Sequence, residues 1–302
     1  MKKRFIITGG AGFIGTNLAI HLVEGGYEVV VIDDLSAGDA SRLPPEVTFH
    51  KTDIRNTEAL IDIFKEGDVV VHLAALPRVQ YSIENPSLTH DVNVNGTLSV
   101  LEAARKKNVA RVVFAASSSA YGDQEKLPLT VDMTPQPKSP YALHKYIGET
   151  YMKLWADLYG VDTVSLRFFN VYGPHLDPDG PYALVIGLFL KLAKEGKSLT
   201  ITGDGTQTRD FTHVNDVVDA VLKAGTLQNS LKGAVLNIGA GKETSINELA
   251  ALIGGEILYV ASRVEPKHTL ADISYTEEIL SWKPQVQIEE GVAELKRSFG
   301  LL

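Results

Sequence analysis

No cysteine occurs in the 302 residues. Disulfides, thiolate catalysis and cysteine-ligated metals are thereby excluded. Long basic runs are missing as well: 29 Lys and Arg stand interspersed among 37 Asp and Glu, for a formal net charge of −8. Nucleic-acid binding needs a basic footprint, so no nucleic-acid partner is expected. An anionic small ligand stays open, because a pocket answers to its local field rather than to the total. The longest apolar segment, Ala183 to Leu190, is far short of a membrane span. In the opening "MKKRFIITGG" the apolar run stops at Thr8-Gly9, as a first β-strand would and a signal peptide would not. A cytoplasmic location without membrane contact is the expectation. The 8 histidines show no ligand spacing such as His-x-x-x-His, so no metal site is expected.

What the chain does contain is an ordinary globular composition, 44% hydrophobic and 22% charged, with a strong alternation in its first half. Short apolar runs at Phe5–Thr8, Val29–Ile32, Val47–Lys51, Val69–Leu73, Arg111–Ala115 and Thr163–Phe168 predict strands. Between them Phe13–Glu24, Thr57–Lys65, Thr97–Lys107 and Pro140–Tyr159 carry helical spacing. Strands that are apolar throughout and separated by helices imply a parallel sheet covered on both faces. The expected fold is therefore α/β, a doubly wound parallel (Rossmann) sheet over residues 1–172. Past Gly173-Pro174 the pattern becomes irregular: a helix over about 182–195, strand-like "SLTITGDG", then a capped helix and a strand at Ala234–Ile238. Residues 213–239 are expected to return to the sheet, and 173–302 to form mainly a smaller mixed α/β substrate lobe.

The segment "FIITGGAGFIG" sets Gly9, Gly12 and Gly15 after a strand and at the start of a helix, where Phe13 and Ile14 give the first helical N–H groups. Glycines there permit a tight turn and close backbone approach to a pyrophosphate, and the helix N-terminus favours its charge. The second strand ends at Asp33, where an acid binds the adenosine ribose hydroxyls. That carboxylate would repel a 2′-phosphate and the next arginine is Arg42, so NAD is favoured over NADP. "TDIRN" puts Asp53 and Ile54 at the sheet edge where an adenine would lie, although Asp53 taken alone is as readily a turn residue. His72 reads as a packed strand residue.

The strand "RVVFAASSSAYG" ends in serines, and "SPYALHKYIGE" places Tyr141 and Lys145 one helical turn apart. Ligands bind at the carboxyl ends of strands in such sheets. A serine there, with a phenol and an ammonium arriving on the next helix, makes an acid–base set. A free phenol has a pKa near 10; a neighbouring ammonium, together with the positive nicotinamide ring, is expected to lower it.

The phrases "TGGAGFIG", "DDLSAG", "TDI", "HLAA", "NVNGT", "SSSAYG", "SPYALHK" and "RFFNVYGP" together resemble the extended short-chain dehydrogenase/reductase family. More narrowly they resemble its UDP-glucose (UDP-galactose) 4-epimerase group, over essentially the whole chain. The resemblance implies an NAD-dependent enzyme that inverts C4 of a UDP-sugar through a 4-keto intermediate. It implies Tyr141 as the base, Lys145 on the nicotinamide ribose, and Ser117 on the sugar's reacting oxygen. Leu73, Ala74, Ala75 and Asn95 would support the cofactor. Val79, Ser82 and Ser119 would line the sugar region, Asn170 would bind the diphosphate, and Arg209 and Arg263 would clamp it. "SRVEPKH" lacks the glycine that relatives carry near the second arginine, and Pro77 stands where some carry a lysine. Family dimers pair helices like those at 91–107 and 141–159, so a homodimer is implied.

Neighbouring chemistries separate on the strand-end motif. Sugar 4,6-dehydratases and UDP-glucuronate decarboxylases carry acids there, whereas this chain has Ser118, Ser119 and Ala120. Thr269 and Leu270, in place of a bulky aromatic, leave room for an N-acetyl group, and Arg78 keeps uronic acids open. A reductase and a non-catalytic NAD-binding regulator are the remaining alternatives.

Overall fold

The computed structural model describes residues 3–177, 185–261 and 267–302. Along the chain run β1 (Arg4–Thr8), α1 (Phe13–Glu24), β2 (Glu28–Asp33), β3 (Thr48–Lys51), α2 (Thr57–Ile63), β4 (Val69–His72), α3 (Val79–Glu84), α4 (Pro86–His90), α5 (Gly96–Lys106), β5 (Arg111–Ser117), α6 (Pro140–Tyr159) and β6 (Thr163–Phe168). The second half holds β7 (Val171–Tyr172), α7 (Val185–Lys194), β8 (Leu199–Thr202), β9 (Thr208–Asp210), β10 (Thr212–His213), α8 (Val214–Thr226), β11 (Ala234–Ile238), β12 (Glu243–Ser245), α9 (Ile246–Ile253), β13 (Ile257–Val260), α10 (Ser274–Leu280) and α11 (Ile288–Phe299).

Seven strands form one parallel sheet in the order β11-β6-β5-β4-β1-β2-β3. Its strands are apolar because both faces are covered: Phe5, Ile6, Ile7, Val69, Val70 and Val71 are fully buried. On one side Leu60, Val100, Leu101 and Trp155, from α2, α5 and α6, pack with Ile6, Val70 and Phe114 of the sheet. β1 pairs with β2 on one side and β4 on the other, so the strand order reverses beside it. That reversal opens a crevice at the carboxyl ends of β1 and β4. The expected helix near 182–195 appears as Val185–Lys194, its first residues lying outside those described.

The chain divides into two compact units. The first comprises Met1–Gly122, Thr134–Arg167 and Val218–Leu236; the second comprises Asp123–Met133, Phe168–Val217 and Asn237–Leu302. The return of α8 and β11 toward the sheet was expected; the placement of 123–133 in the second unit was not. That segment is held there by backbone bonds, Leu129 N–H donating to Leu270 C=O at 2.7 Å and Asp272 N–H to Leu129 C=O at 3.0 Å. The second unit has its own core of Tyr172, Phe189, Leu190, Leu199, Ile201, Leu249, Val292 and Leu295. Within it β7 pairs with β10 and β8 with β13 in parallel, and β9 with β12 antiparallel.

Candidate active site

The glycine loop is shaped by close contacts that a side chain would break. A Cβ on Gly9, whose φ is +70°, would lie 2.7 Å from the Ala74 backbone, and one on Gly15 would strike the Gly9 carbonyl. Gly12 differs: a Cβ there would meet only the Gly9 carbonyl oxygen, at 3.3 Å, and otherwise open space. The start of α1 carries no side-chain cap and no acid in its first turn, so Phe13 and Ile14 present uncapped N–H groups on that open side. This is the arrangement a pyrophosphate requires. Asp33 is 8% exposed and accepts hydrogen bonds from Ala11 N–H (3.0 Å) and Leu35 N–H (2.8 Å). Burial raises its carboxyl above the usual range while those two donors oppose the rise. Arg42, the next arginine along the chain, is paired with Asp39 at 3.2 Å.

Beside the loop, Leu73, Ala74 and Ala75 follow β4 and are half-buried. His72 is a packed residue, as expected: its Nδ1 lies 2.7 Å from Thr8 Oγ1 and its Nε2 2.9 Å from Thr97 Oγ1. Two expectations need correction here. Asn95 is exposed and its amide donates to Asp91 Oδ1 at 2.9 Å. Asn93 instead is buried and clamps the segment after β4, accepting from Leu76 N–H at 2.7 Å and donating to Leu76 C=O at 3.1 Å. The reason is a wide, π-helical turn at Asp91–Asn95, which turns the first asparagine of "NVNGT" inward and the second outward. Ile54 packs its side chain so tightly on α5 that a Cβ on Gly96 would lie 2.5 Å from it. Asp53 forms an ion pair with Arg55, which also reaches Asp91 at 2.6 Å, so its carboxylate is occupied at the surface.

Ser117 ends β5, and its Oγ accepts from Ser119 N–H (3.2 Å) and Ser119 Oγ–H (2.8 Å). The side chain of the same serine lies against the Tyr141 hydroxyl and favours its ionised form. α6 opens with Ser139 capping Ala142 N–H at 3.2 Å and Pro140 in the first turn. Gly148 lets this helix press on β5, because a Cβ there would strike the Phe114 ring. Lys145 Nζ thereby reaches the Ala115 carbonyl at 2.7 Å, 5.0 Å from the Phe114 ring centre and 5.9 Å from that of Tyr141.

The protein's own groups do not by themselves supply the expected lowering of the phenol, which also calls on the nicotinamide ring. Burial pushes Tyr141 up to about 12, partly opposed by Ser117, and pushes Lys145 down to about 8, partly opposed by Glu149. Lys145 directs its ammonium at a carbonyl rather than at the phenol, so the protein's own groups hold Tyr141 neutral.

Ser82 is a further correction. It is fully buried; its hydroxyl donates to Val79 C=O at 2.6 Å and accepts from Tyr141 N–H at 3.0 Å. A group so placed cannot meet a sugar arriving from solvent, and it serves the first turn of α6, whose N–H groups have no helical acceptor. Val79 is 47% exposed. In the second unit, Asn170 donates from Nδ2 to Asp210 C=O at 3.0 Å, and Arg209 Nη1 donates to Thr208 C=O at 2.8 Å. Arg263 lies outside the described residues. The first unit therefore assembles the glycine loop, Asp33, Ser117, Ser119, Tyr141 and Lys145, while Asn170 and Arg209 belong to the second.

Residues 5–239 match the model of the NAD dependent epimerase/dehydratase family. The chain belongs to that family. NAD is its cofactor, as the open Gly12 turn and Asp33 suit. This family member is similar to the UDP-glucose 4-epimerase of Mycolicibacterium smegmatis, 38% identical over 314 residues and 98% of each chain. Its fold matches the UDP-glucose 4-epimerase of Thermus thermophilus, solved in complex with NAD, at TM-score 0.90 and 32% identity, covering 98% of this chain and 99% of that one. It also matches the UDP-N-acetylglucosamine 4-epimerase of Methanobrevibacter ruminantium M1, solved with UDP-N-acetylmuramic acid, at TM-score 0.93 and 35% identity over 99% of both chains. Among the described residues of this epimerase/dehydratase no helix is long and apolar enough to cross a membrane, and no group of three or more potential ligands could hold a metal.

Proposed function

We propose that the protein is an NAD-dependent epimerase that inverts C4 of a UDP-hexose, with UDP-glucose and UDP-galactose as its substrate pair. The observation that carries this reading is Ser117 beside Tyr141, with Lys145 one helical turn further along α6, at the end of a strand whose next residues bear no carboxylate. A dehydratase or decarboxylase of the same fold class needs an acid at Ser118, Ser119 or Ala120; an epimerase does not. The likeness to a UDP-N-acetylglucosamine 4-epimerase makes the GlcNAc/GalNAc pair the second candidate.

Phe13 and Ile14 N–H groups would hold the cofactor's pyrophosphate, Asp33 its adenosine ribose, and Lys145 its nicotinamide ribose. When bound, NAD supplies the reversible oxidation of the sugar carbon. As the phenolate, which the positive nicotinamide ring would favour when NAD is bound, Tyr141 Oη takes the proton of the C4 hydroxyl as that carbon becomes a ketone, and gives it back when the alcohol re-forms on the opposite face. Ser117 Oγ, held in place by Ser119, hydrogen-bonds the same sugar oxygen throughout. Asn170, Arg209 and Arg263 are assigned to the nucleotide diphosphate, a task suited to guanidinium forks. A homodimer through the outer face of α6 completes the reading, supported by exposed Leu143 (44%), Leu154 (41%) and Leu158 (63%) on one side of that helix.

The test is incubation of the purified protein with UDP-galactose, UDP-GalNAc and UDP-glucuronate in turn, each product identified by NMR. Conversion of UDP-galactose to UDP-glucose is the expected result. Conversion of UDP-glucuronate alone would move the assignment to a uronate epimerase.

A further inference from the structure

A buried pair of charges under α6 has no part in this mechanism. Glu149 lies one helical turn beyond Lys145 on the same face of α6, and Arg167 reaches it from β6. The guanidinium binds the carboxylate through two parallel bonds, Nε to Oε1 at 2.8 Å and Nη2 to Oε2 at 2.7 Å. Both side chains are 3% exposed, and the Arg167 guanidinium sits 4.4 Å from the centre of the Tyr121 ring. A buried ion pair is rarely a net gain in stability, since removing two charges from water costs about what their attraction returns. Stability alone therefore does not account for placing one under the active-site lysine.

The pair is oriented. Its carboxylate stands four residues from Lys145 on α6, and its guanidinium lies against the Tyr121 ring. Among the described residues, the other titratable groups around the ammonium offer no negative charge. Tyr141 and His144 on α6 and His72 on β4 are held neutral by burial, and β5 supplies only the Ala115 carbonyl and the Phe114 ring. Glu149 is thus the charge that opposes the loss of the Lys145 proton.

We propose that the Glu149–Arg167 pair is a positioning device that keeps Lys145 charged and in place for the nicotinamide ribose. The pair touches neither cofactor nor sugar and acts through Lys145. The inference rests on the assignment of Lys145 to the ribose, and it is tested by cofactor binding rather than by sugar turnover.

The experiment measures NADH binding by fluorescence between pH 6 and pH 9, for the native protein, Glu149→Asp, and the neutral double variant Glu149→Gln/Arg167→Met. The double variant removes both charges of the pair and so leaves no buried guanidinium without its carboxylate, which keeps the fold where Glu149→Gln alone could fail. In the native protein, affinity should fall as the pH passes the Lys145 value of about 8. In the double variant the fall should begin at least one pH unit lower, so that binding at pH 8 is weakened about tenfold more than at pH 6.5. Glu149→Asp should recover part of that difference. Parallel pH profiles for all three proteins, even with lowered affinity or melting temperature, would make the pair merely structural and overturn the proposal. If the native affinity shows no fall near pH 8, Lys145 does not carry the ribose and the proposal fails with that assignment. A protein that binds NADH with the expected pH dependence yet turns over no UDP-sugar would contradict the proposed reaction and leave the support of Lys145 standing.

Discussion

Ser82 Oγ accepts the backbone N–H of Tyr141 at 3.0 Å, while Ser117 at the end of β5 lies against the Tyr141 hydroxyl. The candidate base is thus fixed at both its main chain and its side chain, by two serines from different segments. Ser82→Ala should lower kcat about tenfold and stability by about 1 kcal/mol, with the sugar KM changed less than about twofold. Steady-state kinetics with urea unfolding checks this. A raised KM at unchanged kcat would instead place Ser82 against the sugar.

The two asparagines of "NVNGT" should behave very differently. Asn93→Ala strands both backbone groups of Leu76 and should cost about 2–3 kcal/mol. Asn95→Ala removes one exposed bond to Asp91 and should stay within about 0.5 kcal/mol. Urea midpoints of the two variants decide it, and equal losses would contradict the inward turn of Asn93.

Buried histidines set an acid limit on stability. Burial pushes His72 down to about 3 and His144 down to about 4, from an ordinary value of 6.5. The unfolded chain therefore binds protons that the folded chain refuses, so stability is full above pH 6.5 and is lost as the pH falls toward 4 and 3. The urea midpoint should drop between pH 7 and pH 5, and drop less in His72→Gln. Identical slopes for the two proteins would show that His72 is not the group responsible.

The α6 face makes a prediction about assembly. Sedimentation should give twice the 32.8 kDa of one chain, and Leu154→Glu with Leu158→Glu should give a single chain that still binds NADH. A native monomer, or a dimer indifferent to those changes, would remove α6 from the interface.

Much of this was legible in the residues, and the misses share a cause. β1 to β6 could be read because strands buried on both faces are apolar along their whole length, and Phe5–Thr8 or Val69–His72 look like nothing else. The glycine loop was legible because each glycine answers a local demand, as Gly9 does with its positive φ. Ser82, Asn93 and the Glu149–Arg167 pair were not, since their roles depend on partners 59, 17 and 18 residues away and on which way one turn of helix faces. The part Lys145 alone plays in the phenol's shift was hidden for the same reason. Lys145 spacing from Tyr141 is local, but its choice of the Ala115 carbonyl is set by Gly148 pressing α6 onto β5.

The central claim is that Tyr141 moves the sugar's C4 proton. It is tested most directly by following UDP-galactose by NMR with the native protein and with Tyr141→Phe. The account predicts conversion to UDP-glucose by the native protein, and a rate lowered at least about a hundredfold in the variant, with the variant's fold and NADH binding retained. A Tyr141→Phe protein that converts UDP-galactose at the native rate would contradict it.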